Sequence, residues 1–323
     1  MITINWRHEV EGRFLIEKAK VNAEGIEIPG TRVVVADWSD NMILNNGLDL
    51  MATQWGYAND ICVGSGTGAV TAGQTALQNH IAWSNSEQSR TVGAQVDVEP
   101  YYGWARLTRR FNAGFGGGNV NIGEVGAGFG VNNSLYSRAL VRDSNGDPAV
   151  IPILVDEVLD VTYELRSYPA ESDATGTVTL KGVPTDFIIR SMSMHNGGSF
   201  VVGLGRDEFG LSNFDAWRFQ NAVRGTVGIG PVTRTNDDLN SAAGGESFRT
   251  QPACTLVGGY VSGNYYRDVQ MLLDLNQGNW GDGIGVFGVS YNFGAFQLAF
   301  DPPPVKVNTE KFTVVVRVSW GRR

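Results

Sequence analysis

Two similar runs of residues recur at one spacing, and this repeat constrains the fold more than any other feature of the chain. A Tyr-Tyr pair at 101–102 begins a run that reaches Gly114, and a pair at 265–266 begins one that reaches Gly278. The offset is 164 at both ends (266 − 102 and 278 − 114). The 323 residues are enough for about two domains, each with its own apolar core. The sequence therefore predicts an internal duplication. The alternative is two unrelated halves that share turn chemistry.

Composition favours strands over helices. Hydrophobic residues make up 42% of the chain and charged residues 18%, and 42 glycines stand against 11 prolines. Glycine-rich sequences with prominent Val, Thr and Asn fold into short strands joined by tight turns. We predict an all-β fold with two tandem, similar β-sandwich-like domains, each with one short α-helix. The predicted domains are 1–169 and 170–323, because the intervening residues are polar and rich in turn formers.

A second stretch of similarity predicts the two helices. Residues 31–40 correspond to 177–186 at an offset of 146 (177 − 31), and they end in Ser-Asp and Thr-Asp respectively. Short oxygen side chains cap the exposed amides of a helix's first turn. We therefore expect helices at about 41–54 and about 187–196.

Further short matches place strands in both halves. A strand ending in Val-Gly-x-Gly is expected at 61–66 and again at 200–205. The Gly-x-x-Gly segment 123–126 has a counterpart at 285–288, and strands are expected soon after each one, at 135–142 and 295–300.

The closing strand of each half alternates between apolar and polar residues. Leu159 and Val161 point to one face, whereas Asp160 and Glu164 point to the other. Residues 310–320 repeat this pattern at an offset of 153 (312 − 159). A period of two is typical of a strand that is buried on one face and exposed on the other. We therefore expect Asp160 and Glu164 on an exposed face.

Charge and cysteine content exclude several classes of partner. The net charge of −8 argues against nucleic-acid binding, which needs a basic face. Cys62 and Cys254 have no Cys-x-x-Cys spacing, so neither a zinc site nor a disulfide framework is expected. The first residues lack the basic start and apolar stretch of a secretory signal, and no stretch approaches the roughly 18 apolar residues that span a bilayer. We expect synthesis in the cytoplasm and no membrane insertion.

No pattern of catalytic or ligand-binding residues emerges. His8, His80 and His195 lie far apart, without a nucleophile or carboxylate at a known triad spacing. The loop 64–68 is rich in glycine but lacks the lysine of a phosphate-binding loop, so a tight connection is the better interpretation. Asp143, Asn145 and Asp147 lack the later ligands of a calcium loop, and the segment 143–147 is predicted as a turn instead. We predict no catalytic residue, no cofactor and no metal site, and hence no enzyme.

Arginines cluster on one predicted strand, 101–112. Alternation places Arg106 and Arg110 on one face together with Trp104. Such a face could stack bases or sugars, or form salt bridges between subunits, and in an acidic chain the second interpretation is favoured. The interface candidates are Trp104, Arg106, Arg109, Arg110, Asp160, Glu164 and Arg317.

Six segments of the first half resemble structural proteins of tailed-bacteriophage virions. They are NMILNNGL (41–48), VGSG (63–66), QTALQN (74–79), GEVG (123–126), LYSRALV (135–141) and DEVLDVTYELR (156–166). The resemblance covers about 40–170 and extends to the second half only through the internal repeat. Its motifs are strand and turn residues, so they indicate the family but not a position in the particle.

The resemblance implies a non-enzymatic tail component in the virion, made in the host cytoplasm. Such a sheath, collar or fibre-attachment protein would assemble symmetrically with copies of itself and with other tail proteins. The alternative is a receptor- or glycan-binding tail fibre, in which loops carrying Trp83 or Trp280 contact the host surface. A glycan-degrading enzyme using a carboxylate pair such as Asp156 and Glu157 is a more remote alternative.

Overall fold

The computed structural model describes residues 3–54, 56–95, 98–191, 195–196, 200–201, 219–224, 249–291 and 294–323. Within these residues the protein is all-β, with a single α-helix and one 3₁₀ turn at Phe115–Gly117. This confirms the predicted fold class at the level of an all-β protein. The assignment of 1–169 and 170–323 to two domains stays a prediction.

The elements of the first half are, in chain order, β1 Thr3–Lys20, β2 Val33–Asp40, β3 Met42–Ile43, α1 Asn45–Thr53, β4 Asp60–Gly64, β5 His80–Ser84, β6 Glu87–Gln95, β7 Tyr102–Phe111, β8 Val120–Ile122, β9 Glu124–Gly128, β10 Leu135–Leu140, β11 Ile151–Ile153 and β12 Glu157–Tyr168.

Those of the second half are β13 Ala174–Leu180, β14 Val183–Ser191, β15 His195–Asn196, β16 Phe200–Val201, β17 Phe219–Arg224, β18 Arg249–Thr250, β19 Ala253–Val257, β20 Tyr266–Leu273, β21 Ile284–Tyr291, β22 Gly294–Asp301 and β23 Phe312–Arg322. The predicted strands at 101–112, 157–166, 265–276 and 310–320 correspond to β7, β12, β20 and β23. Of the predicted strand 200–205, residues 202–205 lie outside the described part of the chain.

One large sheet joins the two halves. Its strand order is β19-β20-β23-β1-β12-β7-β6, and β2 also pairs with β1. The central strand β1 is antiparallel to β12 on one edge and parallel to β23 on the other. β1 alternates from Thr3 to Glu17, and the side chains of Ile4, Trp6, Val10 and Phe14 are buried on its inner face. A strand from the start of the chain therefore lies between the closing strands of both halves.

Two smaller sheets pack against the inner face of the large sheet. Their strand orders are β3-β10-β9-β4-β5 and β13-β14-β22-β21-β17-β18. Tyr136 of β10 contacts Tyr163 of β12 edge to face, with ring centroids 6.4 Å apart. Phe287 of β21 stacks on Phe312 of β23 at 5.9 Å. The architecture is thus a two-layer sandwich, in which buried side chains from both halves form one contiguous core.

The first predicted helix is present, but its predicted cap is wrong. α1 spans Asn45–Thr53, inside the predicted 41–54, and its N-cap is Leu44, which makes no side-chain capping bond. Ser39 and Asp40 instead belong to β2 and pair with Phe14 and Arg13 of β1. The helix is held by packing, because Leu48 and Met51 are buried in the core.

The second predicted helix, at 187–196, is wrong over the residues that the structure describes. Residues 187–191 lie in β14, which pairs with β13 on one edge and with β22 on the other. The Thr185-Asp186 pair stands inside this strand, where Asp186 accepts a hydrogen bond from the Thr177 hydroxyl at 2.6 Å. Val183, Ile188 and Ile189 are β-branched and favour a strand that has partners on both edges. His195 and Asn196 form β15, and 192–194 lie outside the described residues.

Candidate functional site

The outer face of the large sheet brings together most of the predicted interface residues. Trp104, Arg106 and Arg110 point outward from β7, as their alternation predicts. On the neighbouring strand β12, Glu164 stands opposite Arg106 and Asp160 stands opposite Arg110. Cross-strand neighbours of opposite charge stabilise a sheet, and here each such pair is extended by further arginines.

Three arginines surround Glu164. Its carboxylate accepts hydrogen bonds from Nε of Arg13 and Nε of Arg166, both at 2.7 Å, and from Nε of Arg106. Burial alone raises the pKa of this carboxyl, but the three guanidinium groups reverse the effect and hold the pKa below its ordinary value. Glu164 is therefore an ionised carboxylate that fixes three guanidinium groups of β1, β7 and β12.

Two tryptophans interleave with these guanidinium groups. The guanidinium carbon of Arg106 lies 4.4 Å from the ring centroid of Trp104 and 5.2 Å from that of Trp38, which belongs to β2. Arg13 lies over the same Trp38 ring at 4.4 Å. We call the series Trp104, Arg106, Trp38 and Arg13 the arginine–tryptophan ladder. Each contact is a cation–π interaction, and together they hold the side chains of three strands in fixed positions.

A second cluster on the same face surrounds Asp160. Arg110 donates to both of its oxygens, at 2.7 and 2.6 Å, and Arg32 donates to Oδ2 at 2.8 Å. Arg32 also binds Glu27 through two nitrogens. With Glu17, which lies 3.8 Å from Arg32, this cluster contains three carboxylates and two guanidinium groups, and the arginines direct their donors towards the carboxylates.

The predicted exposure of Asp160 and Glu164 is wrong. Their exposed fractions are 3% and 0%, because arginine side chains from neighbouring strands lie over them. Arg109 is also buried, on the inner face, where it donates to the backbone and side-chain oxygens of Asn59 at 2.9 and 2.7 Å and to Glu87 at 3.0 Å. It therefore holds two strands and a loop together and is not part of the outer face.

Arg317 occupies the outer face in the second half. Its Nε and one terminal nitrogen donate to the two oxygens of Asp268 at 2.7 and 2.8 Å. Its guanidinium carbon lies 3.8 Å from the ring centroid of Tyr266. Arg317 thus resembles the ladder arginines in its setting, but a single carboxylate satisfies both of its bonded nitrogens.

Sequence reasoning missed Arg13, Trp38 and Arg166 as members of this site. Arg166 continues the polar alternation of the predicted closing strand, so this pattern could have identified it. Arg13 follows the polar positions of β1, an N-terminal strand whose bounds the sequence pattern did not indicate. Trp38 lies one residue before the supposed helix cap, and no local pattern connects it with Arg106.

A second buried carboxylate, Glu124, lies where the segments 63–66, 74–79, 123–126 and 135–141 meet. It accepts backbone hydrogen bonds from Gly66 at 3.0 Å, Gln78 at 3.0 Å and Asn79 at 2.7 Å, and it binds Arg138 at 2.7 Å. Arg138 in turn donates to the carbonyl of Gly68 at 3.1 Å and to Gln74 Oε1 at 2.9 Å. Both side chains of the ion pair are fully buried. We call Glu124 and Arg138 the loop clamp, because they fix the connection between β4 and β5.

The loop clamp also explains the glycine-rich segment 64–68. The amide of Gly66 is bonded to Glu124, and the amide of Gly68 is bonded to Gln78 Oε1 at 2.8 Å. These donors are directed at protein oxygens, which agrees with the interpretation as a tight connection. Burial raises the pKa of Glu124, whereas its backbone donors and Arg138 lower it, and the net pKa lies below the ordinary value.

The histidines do not form a shared site among the described side chains. His8 is buried against Ser167, and burial lowers the pKa of its imidazole to about 3. His80 is partly buried on β5, and the side chain of His195 lies outside the described set. Over the described residues, no group of three or more His, Cys, Asp or Glu side chains is arranged to hold a metal ion. In the same part of the chain, no helix has the length and apolar character needed to cross a membrane.

Comparisons with family models, with curated proteins and with solved structures found no match to this chain.

Proposed function

We propose that the protein is a structural component of a bacteriophage tail, such as a sheath, collar or fibre-attachment protein. In this function it acts by symmetric assembly with copies of itself and with other tail proteins in the virion. The observation that carries the proposal is the outer face of the large sheet, where buried carboxylates hold charged and aromatic side chains in place. A surface that is already ordered loses little conformational entropy on binding, so it suits repeated contacts in an assembly.

The residues behind the phage resemblance fit a structural component. Four of the six segments, 63–66, 74–79, 123–126 and 135–141, supply the loop clamp and its partners. They therefore fix the connection between β4 and β5 in the first half. This is what the resemblance implies for a non-enzymatic protein of the virion.

We further propose that the two halves arose by duplication. The described part of the second half contains no counterpart of α1. The hairpin β6–β7 and the hairpin β19–β20 keep the same register at the offset of 164: Val92 pairs with Ala105, and Leu256 pairs with Val269. In the smaller sheets, β10-β9-β4-β5 and β22-β21-β17-β18 have the same strand order and the same succession along the chain. Both agreements support a common ancestor for the halves.

The arrangement of the large sheet also supports duplication. The three-stranded units β12-β7-β6 and β23-β20-β19 flank β1 on its two sides. Because β12 is antiparallel to β1 and β23 is parallel to it, the two units run in opposite directions. A local two-fold axis perpendicular to the sheet produces this relation.

In the closing strands, Thr108 pairs with Thr162 and Leu272 pairs with Thr313. This register gives an offset of 151 (313 − 162), two residues from the predicted 153 and therefore on the same face.

The test is to image the virion that contains the protein, with the protein labelled, and to measure the native mass of the purified chain. We expect label on the tail and a defined oligomer. Label confined to another part of the particle, or a chain that stays monomeric and unattached, would contradict the proposal.

The alternative function is a receptor- or glycan-binding tail fibre. Trp83 on β5 favours it, because 41% of this residue is exposed and an indole ring can stack on the apolar face of a sugar. A glycan array and an adsorption-blocking assay with the isolated protein separate the two functions. Blocked adsorption that is lost in Trp83→Ala would favour the fibre.

A further inference from the structure

We propose that the arginine–tryptophan ladder is a docking site for a carboxylate-bearing segment of a second copy of this chain. The inference rests on the proposed function, since it names the surface through which copies assemble. It goes further by giving the chemistry of the contact and the residues that make it.

The two arginines of the ladder have hydrogen-bond donors that Glu164 does not use. Glu164 takes one hydrogen bond from Nε of Arg13 and one from Nε of Arg106. Neither arginine makes a further hydrogen bond or ion pair within the described residues, so the terminal nitrogens of both are available. The exposed fractions of these two side chains are 21% and 37%. The outward edge of a guanidinium group carries two parallel N–H donors, which match the two oxygens of a carboxylate.

The ion pairs at the ladder are unbalanced. Arg13, Arg106 and Arg166 share one bonded carboxylate, that of Glu164. Asp40 and Glu11, which stand opposite Arg13 and Arg166 in the neighbouring strands, make no ion pair with them within the described residues. The whole chain has a net charge of −8. Exposed carboxylates are correspondingly common: Asp143 and Asp147, on an exposed turn, make no ion pair within the part of the chain that the structure describes. A second copy therefore offers the charge that the ladder lacks, and such complementarity favours association over self-repulsion.

The tryptophans disfavour a sugar as the occupant. Arg106 lies over Trp104, and Gly93 on the neighbouring strand lies so close to this ring that a Cβ there would overlap it. The ring of Trp38 is in contact with both Arg13 and Arg106. Since these rings already stack on the protein, their function in the ladder is to hold the guanidinium groups in position. Stacking on a pyranose needs an open aromatic face, whereas a carboxylate needs only the guanidinium edge.

The test is sedimentation velocity of the full chain over a range of protein concentrations, at low and at high salt. The variant is Arg106→Gln, which leaves Arg13 and Arg166 on Glu164. The matched control is Arg190→Gln, because Arg190 also pairs with a carboxylate, that of Asp173, but belongs to β14 in one of the smaller sheets. We expect Arg106→Gln to raise the dissociation constant of self-association about tenfold and Arg190→Gln to leave it unchanged. High salt should weaken the wild-type association as well.

Thermal unfolding of each variant shows whether it is folded. If Arg106→Gln does not fold, Arg106→Lys replaces it, because a lysine keeps the charge but lacks the two parallel donors. Weaker association of folded Arg106→Lys supports the proposal.

The other outcomes separate the inference from the proposed function. A folded Arg106 variant that associates like the wild type overturns the ladder as the docking site and leaves assembly intact. A wild-type chain that stays monomeric at every concentration removes self-assembly itself. A monomeric chain that is retained on a polyuronate resin, and that Arg106→Gln releases, identifies an anionic glycan as the occupant and overturns the proposal.

Discussion

Under the proposed duplication, the two halves of the protein differ chemically at corresponding positions of their strands. In the large sheet, Arg106 pairs with Glu164 in the first half, and Gln270 pairs with Val315 in the second. In the smaller sheets, the loop-clamp arginine Arg138 stands opposite Gly126, and Gln297 stands opposite Gly288.

The carboxylate of the loop clamp also has an apolar residue at its counterpart position. Glu124 stands opposite Leu140, and Val286 stands opposite Ala299. Glu124 and Glu164 thus each have a buried valine as their counterpart. The strand framework accommodates either pair, so the buried ions are not needed to build the sheets. They serve local tasks in the first half, namely the loop between β4 and β5 and the arginines of the outer face.

The largest effect is expected at the loop clamp. Glu124→Ala leaves the fully buried Arg138 without its carboxylate and frees the three backbone amides, so we expect a loss of about 3–5 kcal/mol in the free energy of unfolding. The matched change Val286→Ala only removes apolar contacts and should cost about 2 kcal/mol. Urea unfolding of both variants measures the difference. Equal losses would contradict a special role for the clamp.

A somewhat smaller effect is expected at Glu164, because its arginines reach solvent. Glu164→Val should lower the free energy of unfolding by about 2–3 kcal/mol, as it removes the shared acceptor of three guanidinium groups. The double variant Glu164→Val with Arg106→Gln copies the pair found in the second half, and it should recover part of this loss. Chemical unfolding of the single and double variants provides the measurement. If the double variant is less stable than the single one, the pair Gln270–Val315 cannot replace the pair Arg106–Glu164 in the first half.

Acid should destabilise the protein through His8 on the shared strand β1. The folded state holds the pKa of this imidazole at about 3, against 6.5 for the ordinary value, so only the unfolded chain binds a proton between these limits. Stability is fully present above pH 6.5 and should fall by up to about 1.4 kcal/mol for each pH unit below it. A fall of two pH units should therefore lower the free energy of unfolding by nearly as much as Glu164→Val. Unfolding measured from pH 7 to pH 5 should show a shallower fall in His8→Gln, and an unchanged slope would exclude His8 as the cause.

The smallest effect is expected at Gly93, beneath the ladder. Its counterpart in the second hairpin is Val257, which pairs with Asp268 rather than with a tryptophan. Gly93→Ala forces the Trp104 ring away and should cost about 1 kcal/mol, with a shift in tryptophan fluorescence. Val257→Ala should alter neither the fluorescence nor the stability to this extent. If Gly93→Ala changes neither the stability nor the fluorescence, the Trp104 ring is not held in place by its contact with Arg106.

Local patterns were sufficient to predict several strands and their faces. The alternation of β7 placed Trp104, Arg106 and Arg110 on one side, and that of β12 separated Leu159 from Asp160. Both results follow from the two-residue period of a strand, which is readable without knowledge of the neighbours.

Long-range pairing accounts for most of what the sequence did not predict. Glu164 is buried by Arg13 and Arg106, which lie 151 and 58 residues away along the chain. The capping pair Thr185-Asp186 has the local pattern of a helix start, but β13 and β22 supply hydrogen-bond partners that a strand alone can use. The alternation of β7 places Arg109 on the face opposite Arg106, but its hydrogen bonds to Asn59 there could not be predicted from local sequence. Each of these features depends on an element that is distant in sequence.

The parallel pairing of β1 with β23 has a consequence for biosynthesis. Thr3 pairs with Val315, so the two partners are 312 positions apart (315 − 3). On the ribosome β1 emerges first, and β2 and β12 can pair with it long before β23 exists. The edge formed by residues 3–10 then stays open until the final strand is translated, and an open strand edge is a template for pairing with other chains. The edge of β1 in the nascent protein is thus exposed to other chains until β23 pairs with it. Pauses in translation before β23 would lengthen this exposure.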